Sequence, residues 1–177
     1  KYLQAEMDKI SEEARTVKAR IPEYKEVSDE AKAMYYSDWL YIAVQLLTAL
    51  PGLNSIDAIS EHLEVSREKL RPIIDFLLSH GLCIEKQGKL SYGPTMIHLS
   101  EDSPYINTHR RNWRAKALEK INKPLGDDFF YSLVITLSKA DQLKIKKQII
   151  DFIAQTVEVA SPSVPEKLMC LNLDWFK

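Results

Sequence analysis

Apolar residues recur along this chain with a helical period over most of its length and with strand-like alternation in the remainder. Near the start, Leu3, Met7, Ile10, Ala14, Val17 and Ile21 follow one another at alternating intervals of four and three. That is the a/d spacing of a coiled-coil seam, with Glu6, Asp8, Glu12, Glu13, Arg15 and Lys18 left on the solvated side. Pro22 ends the helix, because its ring and missing N–H forbid continuation. Such a stripe either packs on its own domain or forms a dimer seam. In the second case Leu3, Met7, Ile10, Val17 and Ile21 are the contact residues.

The next pattern runs from a cap at Ser28 and Asp29 through Trp39, Ile42, Ala43, Leu46, Leu47 and Leu50, and Pro51-Gly52 stops it. A short helix opening at Asn54 or Ser55 buries Ile56, Ile59 and Leu63. Glu64-Val65 makes a tight turn and Ser66 caps the following helix, with Glu68 in the first turn where a carboxylate suits the dipole. This helix buries Leu70, Ile73, Ile74, Leu77 and Leu78, and Gly81 supplies a left-handed stop. Leu82 and Ile84, then Gln87-Gly88, then Leu90 and Tyr92 predict a two-stranded hairpin. Helix, helix, tight turn, helix, hairpin is the order of a winged helix-turn-helix, and residues 36–96 resemble the regulator type of that module. The resemblance implies that the helix from Ser66 to His80 enters a DNA major groove, with the hairpin as wing.

Beyond Pro104 a further helix turns Ile106, Trp113, Ala117 and Ile121 inward, and Asn122, Pro124 and Gly126 break it. In DDFFYSLVITL, Phe129, Tyr131, Leu133, Ile135 and Leu137 alternate as one buried strand face. Ser138 and Asp141 form a cap opening a helix with Ile149, Ile150, Ile153 and Val157 on one side. LMCLNLDWF, from Leu168 to Phe176, predicts a last strand, joined to the first by a connection long enough for a parallel crossover. Two strands alone make no stable sheet, so they require a third strand, a helix cover or a symmetry mate. The predicted class is therefore α+β: an N-terminal helix (1–27), a winged helix-turn-helix (28–100), and a linking helix with a β–α–β unit (101–177).

The Tyr/Trp-rich helix start MYYSDWLYIAV, the helix INTHRRNWRAKAL and the ending SPSVPEKLMCLNLDWF together resemble a bacterial family of predicted winged-helix transcriptional regulators. That family occurs in predatory and fibre-degrading bacteria and is defined largely by a domain of unknown function. The resemblance covers the chain from about Ala31 to its end, and the terminal motif is its most specific part. It implies transcription regulation, with no known ligand or catalytic residue, and often a further DNA-binding segment upstream. The chain departs from the pattern at Gly126-Asp127-Asp128, where a basic residue is expected. It also starts at Lys1 without a visible leader, as a piece of a longer protein would.

Composition narrows the classes. The 177 residues carry Lys+Arg 24 against Asp+Glu 25, a net charge of −1, with 45% hydrophobic residues. This excludes polybasic tails, acidic disordered segments and low-complexity linkers. No apolar run is long enough to span a membrane. Two cysteines, Cys83 and Cys170, make no disulfide framework and are expected as buried thiols in the cytoplasm.

For DNA contact the candidates are Ser66, Arg67, Lys69 and Arg71 on the helix and Lys86 and Lys89 at the hairpin tip. Arginine reads guanine edges, while lysine, serine and a helix N-terminus hold phosphate. Arg67 and Arg71, one turn apart, are expected to point into the groove together. Against this, residues 38–100 hold five basic and seven acidic side chains, and such a balance suits a lone DNA binder poorly. Residues 101–124 hold six basic and three acidic side chains. There Arg110, Arg111 and Arg114 either contact an anion such as a phosphate or pair with neighbouring acidic faces.

His62, His80, His98 and His109 are scattered, and only His80 lies near a cysteine, so no metal site is expected. No phosphate loop, dinucleotide fingerprint or hydrolase motif occurs, which leaves no expected enzyme activity and no cofactor. The expected function is a DNA-binding transcriptional regulator, or the regulatory and dimerising part of one, acting as a homodimer on double-stranded DNA. The alternatives are a protein-interaction module that does not bind DNA and a sensor of an unknown small ligand, both on a winged-helix scaffold.

Overall fold

A computed structural model describes residues 27–100, 102–124, 126 and 128–177. The heptad stripe Leu3, Met7, Ile10, Val17 and Ile21 lies outside the described residues. The described chain falls into two compact units. One runs up to Phe130 and includes Pro165–Leu173, and the other comprises Tyr131–Val164 with Asp174–Lys177.

In the first unit, α1 (Asp29–Tyr35) begins at Ser28, whose hydroxyl accepts from the Ala31 N–H at 3.2 Å. The single helix expected from Ser28 to Leu50 is instead broken. Asp38 caps a separate helix, α2 (Trp39–Leu47), by accepting from the Leu40 N–H at 2.9 Å. A carboxylate that can satisfy the orphan amides of a new helix competes with continuation of the old one. The break also rotates the buried face. Leu40, Ala43, Val44 and Leu47 are fully enclosed, whereas Leu46 is exposed.

Next come α3 (Ile56–Leu63), capped by Ser55, and α4 (Arg67–Ser79), capped by Ser66. Between them Glu64 takes a left-handed conformation (φ 54°), and the Ser60 hydroxyl donates to the Val65 carbonyl at 2.7 Å, which fixes the tight turn. α4 continues through Pro72, where the Glu68 carbonyl forgoes its helical partner. It ends in paired bonds from the Leu82 N–H to the Leu77 carbonyl (2.8 Å) and from the Gly81 N–H to the Leu78 carbonyl (3.1 Å). Gly81 sits at φ 68°, and a Cβ there would stand 2.8 Å from the Thr95 hydroxyl.

Strands β1 (Cys83–Lys86) and β2 (Lys89–Tyr92) pair antiparallel with Cys83 opposite Tyr92 and Lys86 opposite Lys89. Gln87 and Gly88 both adopt positive φ (52° and 72°), matching the twist of a two-residue hairpin turn. The Leu90 N–H donates 2.7 Å to the Asn54 carbonyl, tying the hairpin to the stretch that precedes α3.

The core joins Leu40, Leu47, Ile59, Leu70, Leu77 and Leu82 from α2, α3, α4 and the segment before β1. Of the buried polar residues Gln45, Thr48 and Thr95, Gln45 is the most enclosed. Gln45 donates from Nε2 to the Leu82 carbonyl at 3.1 Å and accepts from the Tyr35 hydroxyl. Burial above all raises the Tyr35 phenol far beyond its ordinary range and pushes Tyr36 up to about 12, so both stay protonated.

Helix α5 (Ile106–Ile121) lies against this body through aromatic contacts: Trp113 meets Trp39 edge-on at 6.1 Å and Tyr105 stacks on Tyr36 at 6.4 Å. The Asn112 amide donates 3.0 Å to the Tyr36 carbonyl. No residue of α5 is fully buried, and Ile121, expected inward, is 50% exposed. The returning segment Pro165–Leu173 also rests on this unit, with Leu168 against the core and the Asn172 amide donating to the Trp113 carbonyl at 3.4 Å.

The second unit holds α6 (Lys139–Ala160), capped by Ser138, whose oxygen accepts from the Asp141 N–H at 3.1 Å. Of the expected β–α–β unit only this helix is present. Residues 128–137 and 168–176 form no strand. Alternation decides which side chains share a face, whereas a strand exists only where its N–H and C=O groups find a ladder partner. The described residues thus combine helices with one small antiparallel sheet, compatible with α+β. No helix among them is long and apolar enough to cross a membrane.

Candidate nucleic-acid interface

Because Leu70, Ile73, Ile74 and Leu77 are buried, helical geometry fixes what α4 presents to the outside. The stripe opposite them is Glu68, Pro72, Asp75 and Ser79, all exposed. Lys69 flanks this stripe on one side, and Arg67 and Arg71 flank it on the other. The two arginines therefore do share a side, but it is the side facing α3 and the hairpin rather than the outermost line.

Carboxylates stand on that side as well. Arg67 Nε lies 2.7 Å from the Asp57 carboxylate in the first turn of α3, both side chains being more than half exposed. Arg71 lines a cleft of about 330 Å³ together with Asp57, Asp75, Glu85, Ile74 and Leu90. The helix N-terminus is also in use. Its own backbone N–H and then the Ser66 hydroxyl hold the Glu68 carboxyl below the usual carboxylate range, with Arg67 and Arg71 adding to this. A carboxylate of the chain thus occupies the position at which a phosphate was expected. Ser66 is committed to capping, accepting from the Lys69 N–H at 3.4 Å. Lys86 and Lys89 face each other across the end of the hairpin, both exposed.

On α5, Arg110 and Arg111 are exposed, and Arg111 donates to the Thr108 hydroxyl at 3.3 Å. Arg114 is half-buried and donates to the carbonyls of Arg110 (3.0 Å) and Leu173 (3.3 Å), so it fastens the returning segment to α5. The sequence suggests anion contact or pairing with acidic faces for these arginines, whereas Arg114 bonds backbone carbonyls, one of them on Leu173, which is remote in sequence.

His80 Nδ1 bonds the Phe76 carbonyl (2.9 Å) and the Ser79 hydroxyl (3.0 Å), while Cys83 sits 3.8 Å from the Thr48 hydroxyl. No cluster able to hold a metal occurs among the described residues. Cys83 is buried and burial pushes its thiol up to about 11, as expected of a core cysteine. Cys170 corrects the expectation of two buried thiols: it is exposed.

Sequence reasoning located the basic residues and placed Glu68 in the first turn of the helix, but missed Asp57 and Asp75 as their neighbours. The Glu68–Pro72–Asp75–Ser79 stripe could have been found by taking the positions opposite the apolar face.

A family model described as a domain of unknown function (DUF4423) matches residues 5–177. No curated protein and no solved structure matches the chain.

Proposed function

The chain belongs to the DUF4423 family, a domain of unknown function, and for a member with this architecture we propose a role as a DNA-binding transcriptional regulator. In this reading α3, the tight turn, α4 and the β1–β2 hairpin work as a winged helix-turn-helix in the cytoplasm of a bacterium. The observation that carries it is the joint placement of α4 and the hairpin. The Leu90–Asn54 bond anchors the hairpin beside α3, so Lys86 and Lys89 stand at its free end while Lys69 and Arg71 flank the exposed side of α4.

Basic residues on the flanks of a helix suit phosphates on the two walls of a major groove. The stripe between them bears carboxylates, which repel phosphate generally and accept hydrogen bonds from cytosine amino groups. Non-specific affinity is then low, and binding depends on finding the right site.

The test begins with selection of genomic fragments by the chain, followed by anisotropy titrations at two salt concentrations. Lys69→Ala and Lys89→Ala each remove a phosphate contact and should flatten the salt slope by about one unit on all sequences. Unchanged slopes in both variants, with DNA still bound, would assign recognition to another part of the protein.

The Asp57–Arg67 pair and the acidic stripe favour a second reading, in which the chain is the regulatory and dimerising part of such a regulator or an interaction module without DNA contact. Absence of any DNA retention at low salt, with the fold intact, selects that reading.

A further inference from the structure

The cleft of about 330 Å³ between α3, α4 and the hairpin has the size of a small-molecule site, and its lining is of two kinds. Its floor is apolar, with Ile74 and Leu90 buried and Leu78 half-buried. Its rim is charged and open to solvent, with Arg71, Asp75 and Glu85 all exposed. Asp57 lines it too, but is already held by Arg67 at 2.7 Å.

The three other charges are uncommitted. Arg71 and Asp75 stand one turn apart on α4, near enough to pair, yet no ion pair forms between them. Comparable neighbours do close elsewhere, as in Lys32–Asp29 (3.4 Å), Lys116–Glu119 (2.7 Å) and Lys144–Asp141 (2.8 Å). Glu68, which feels the Arg71 charge, does not line the cleft and is held by its own backbone N–H and by Ser66. On the hairpin, Glu85 is opposite Leu90, so the two share a face, while Lys86 and Lys89 share the other. Among the described residues no ion pair or side-chain hydrogen bond engages Arg71, Asp75 or Glu85.

The uncommitted charges are therefore two negative and one positive, set above an apolar floor. Their complement is a molecule with one carboxylate, two cationic groups and an apolar stem. We propose that this cleft binds a basic α-amino acid of the lysine, ornithine or arginine type. Arg71 takes the α-carboxylate, and Asp75, its neighbour on the same helix, takes the α-ammonium on the same carbon. Glu85, on the hairpin, takes the cation at the far end, and the methylene stem lies along Ile74, Leu78 and Leu90. A neutral amino acid leaves Glu85 unmatched, and a plain diamine leaves Arg71 unmatched. This inference does not rest on DNA binding, whose test uses Lys69 and Lys89.

The test is an NMR titration of the isotope-labelled full chain at low salt with L-lysine, L-norleucine, which lacks the distal ammonium, and cadaverine, which lacks the carboxylate. The amide signals of Ile74, Glu85 and Leu90 should shift and saturate with L-lysine, and the other two ligands should each bind about fivefold more weakly. Arg71→Gln should bring L-lysine to the level of cadaverine without weakening cadaverine. Glu85→Gln should weaken L-lysine and cadaverine and leave L-norleucine unchanged. Both substitutions are at exposed positions, and far-UV circular dichroism should stay native. The proposal is overturned by L-lysine shifts that do not saturate below about 10 mM. It is equally overturned by cadaverine or L-norleucine binding as tightly as L-lysine, by an Arg71→Gln variant that weakens L-lysine and cadaverine alike, or by L-lysine binding that ignores Glu85→Gln.

Discussion

Removing the Tyr35 hydroxyl tests whether the buried Tyr35–Gln45–Leu82 chain is what joins α1 to the base of the hairpin. Gln45 is 2% exposed and Tyr35 7%, so neither group recovers a water partner when the other is lost. In Tyr35→Phe the Gln45 Oε1 keeps no described donor, and a buried orphan of this kind costs about 1–3 kcal/mol. In Gln45→Leu the orphan is the phenol instead, and a similar cost of about 1–3 kcal/mol applies. The Leu82 carbonyl is not orphaned, because the Gly93 N–H also donates to it at 2.9 Å. The double variant has no unsatisfied polar atom at this point. Its destabilisation should therefore fall short of the sum of the singles by about 1–3 kcal/mol, and it should be close to the better single or above it in stability. Urea unfolding followed by tryptophan fluorescence in a Trp175→Phe background, which leaves Trp39 and Trp113 of the first unit as reporters, measures all four species, and equal m-values license the comparison. Additivity within about 0.5 kcal/mol would show that the two side chains do not act as a buried pair and would refute the reasoning.

Three further outcomes follow from the same structure. His109 packs against Tyr36, its Nδ1 is buried without a partner, and burial followed by the Arg110 charge lowers its pKa below the ordinary 6.5. The unfolded chain therefore takes up the proton first as pH falls. The stability contributed by neutral His109 is complete above about pH 6.5 and declines below it through the depressed folded value, so His109→Phe should reduce the loss of melting temperature between pH 7.5 and 5.5. Gly81→Ala forces a Cβ at φ 68° and 2.8 Å from the Thr95 hydroxyl, and should cost about 1–2 kcal/mol from the backbone alone by thermal or urea unfolding, with Thr95→Ala relieving only the steric part. A thiol reagent should modify one cysteine per chain quickly under native conditions, and mass mapping should identify it as Cys170, with Cys83 reacting only on unfolding.

Local signals carried far in this chain. The caps at Ser28, Ser55, Ser66 and Ser138, the left-handed stop at Gly81 and the Gln87-Gly88 turn are all readable from residue type and offset, because each satisfies backbone groups within a few positions of itself. The same holds for α3, α4 and the hairpin. Apolar periodicity alone was less sufficient around Tyr36–Asp38, where a continuous stripe concealed a second cap.

Tertiary structure decided three things. It set which carboxylates stand beside the basic residues, since Asp57 reaches Arg67 only once α3 and α4 are packed. It put Arg114 on the Leu173 carbonyl, a contact between residues 59 positions apart. Among the described residues it also assigned no strand to the alternating segments at 128–137 and 168–176, because period-two patterning encodes a face, whereas a strand needs a ladder that local sequence does not contain.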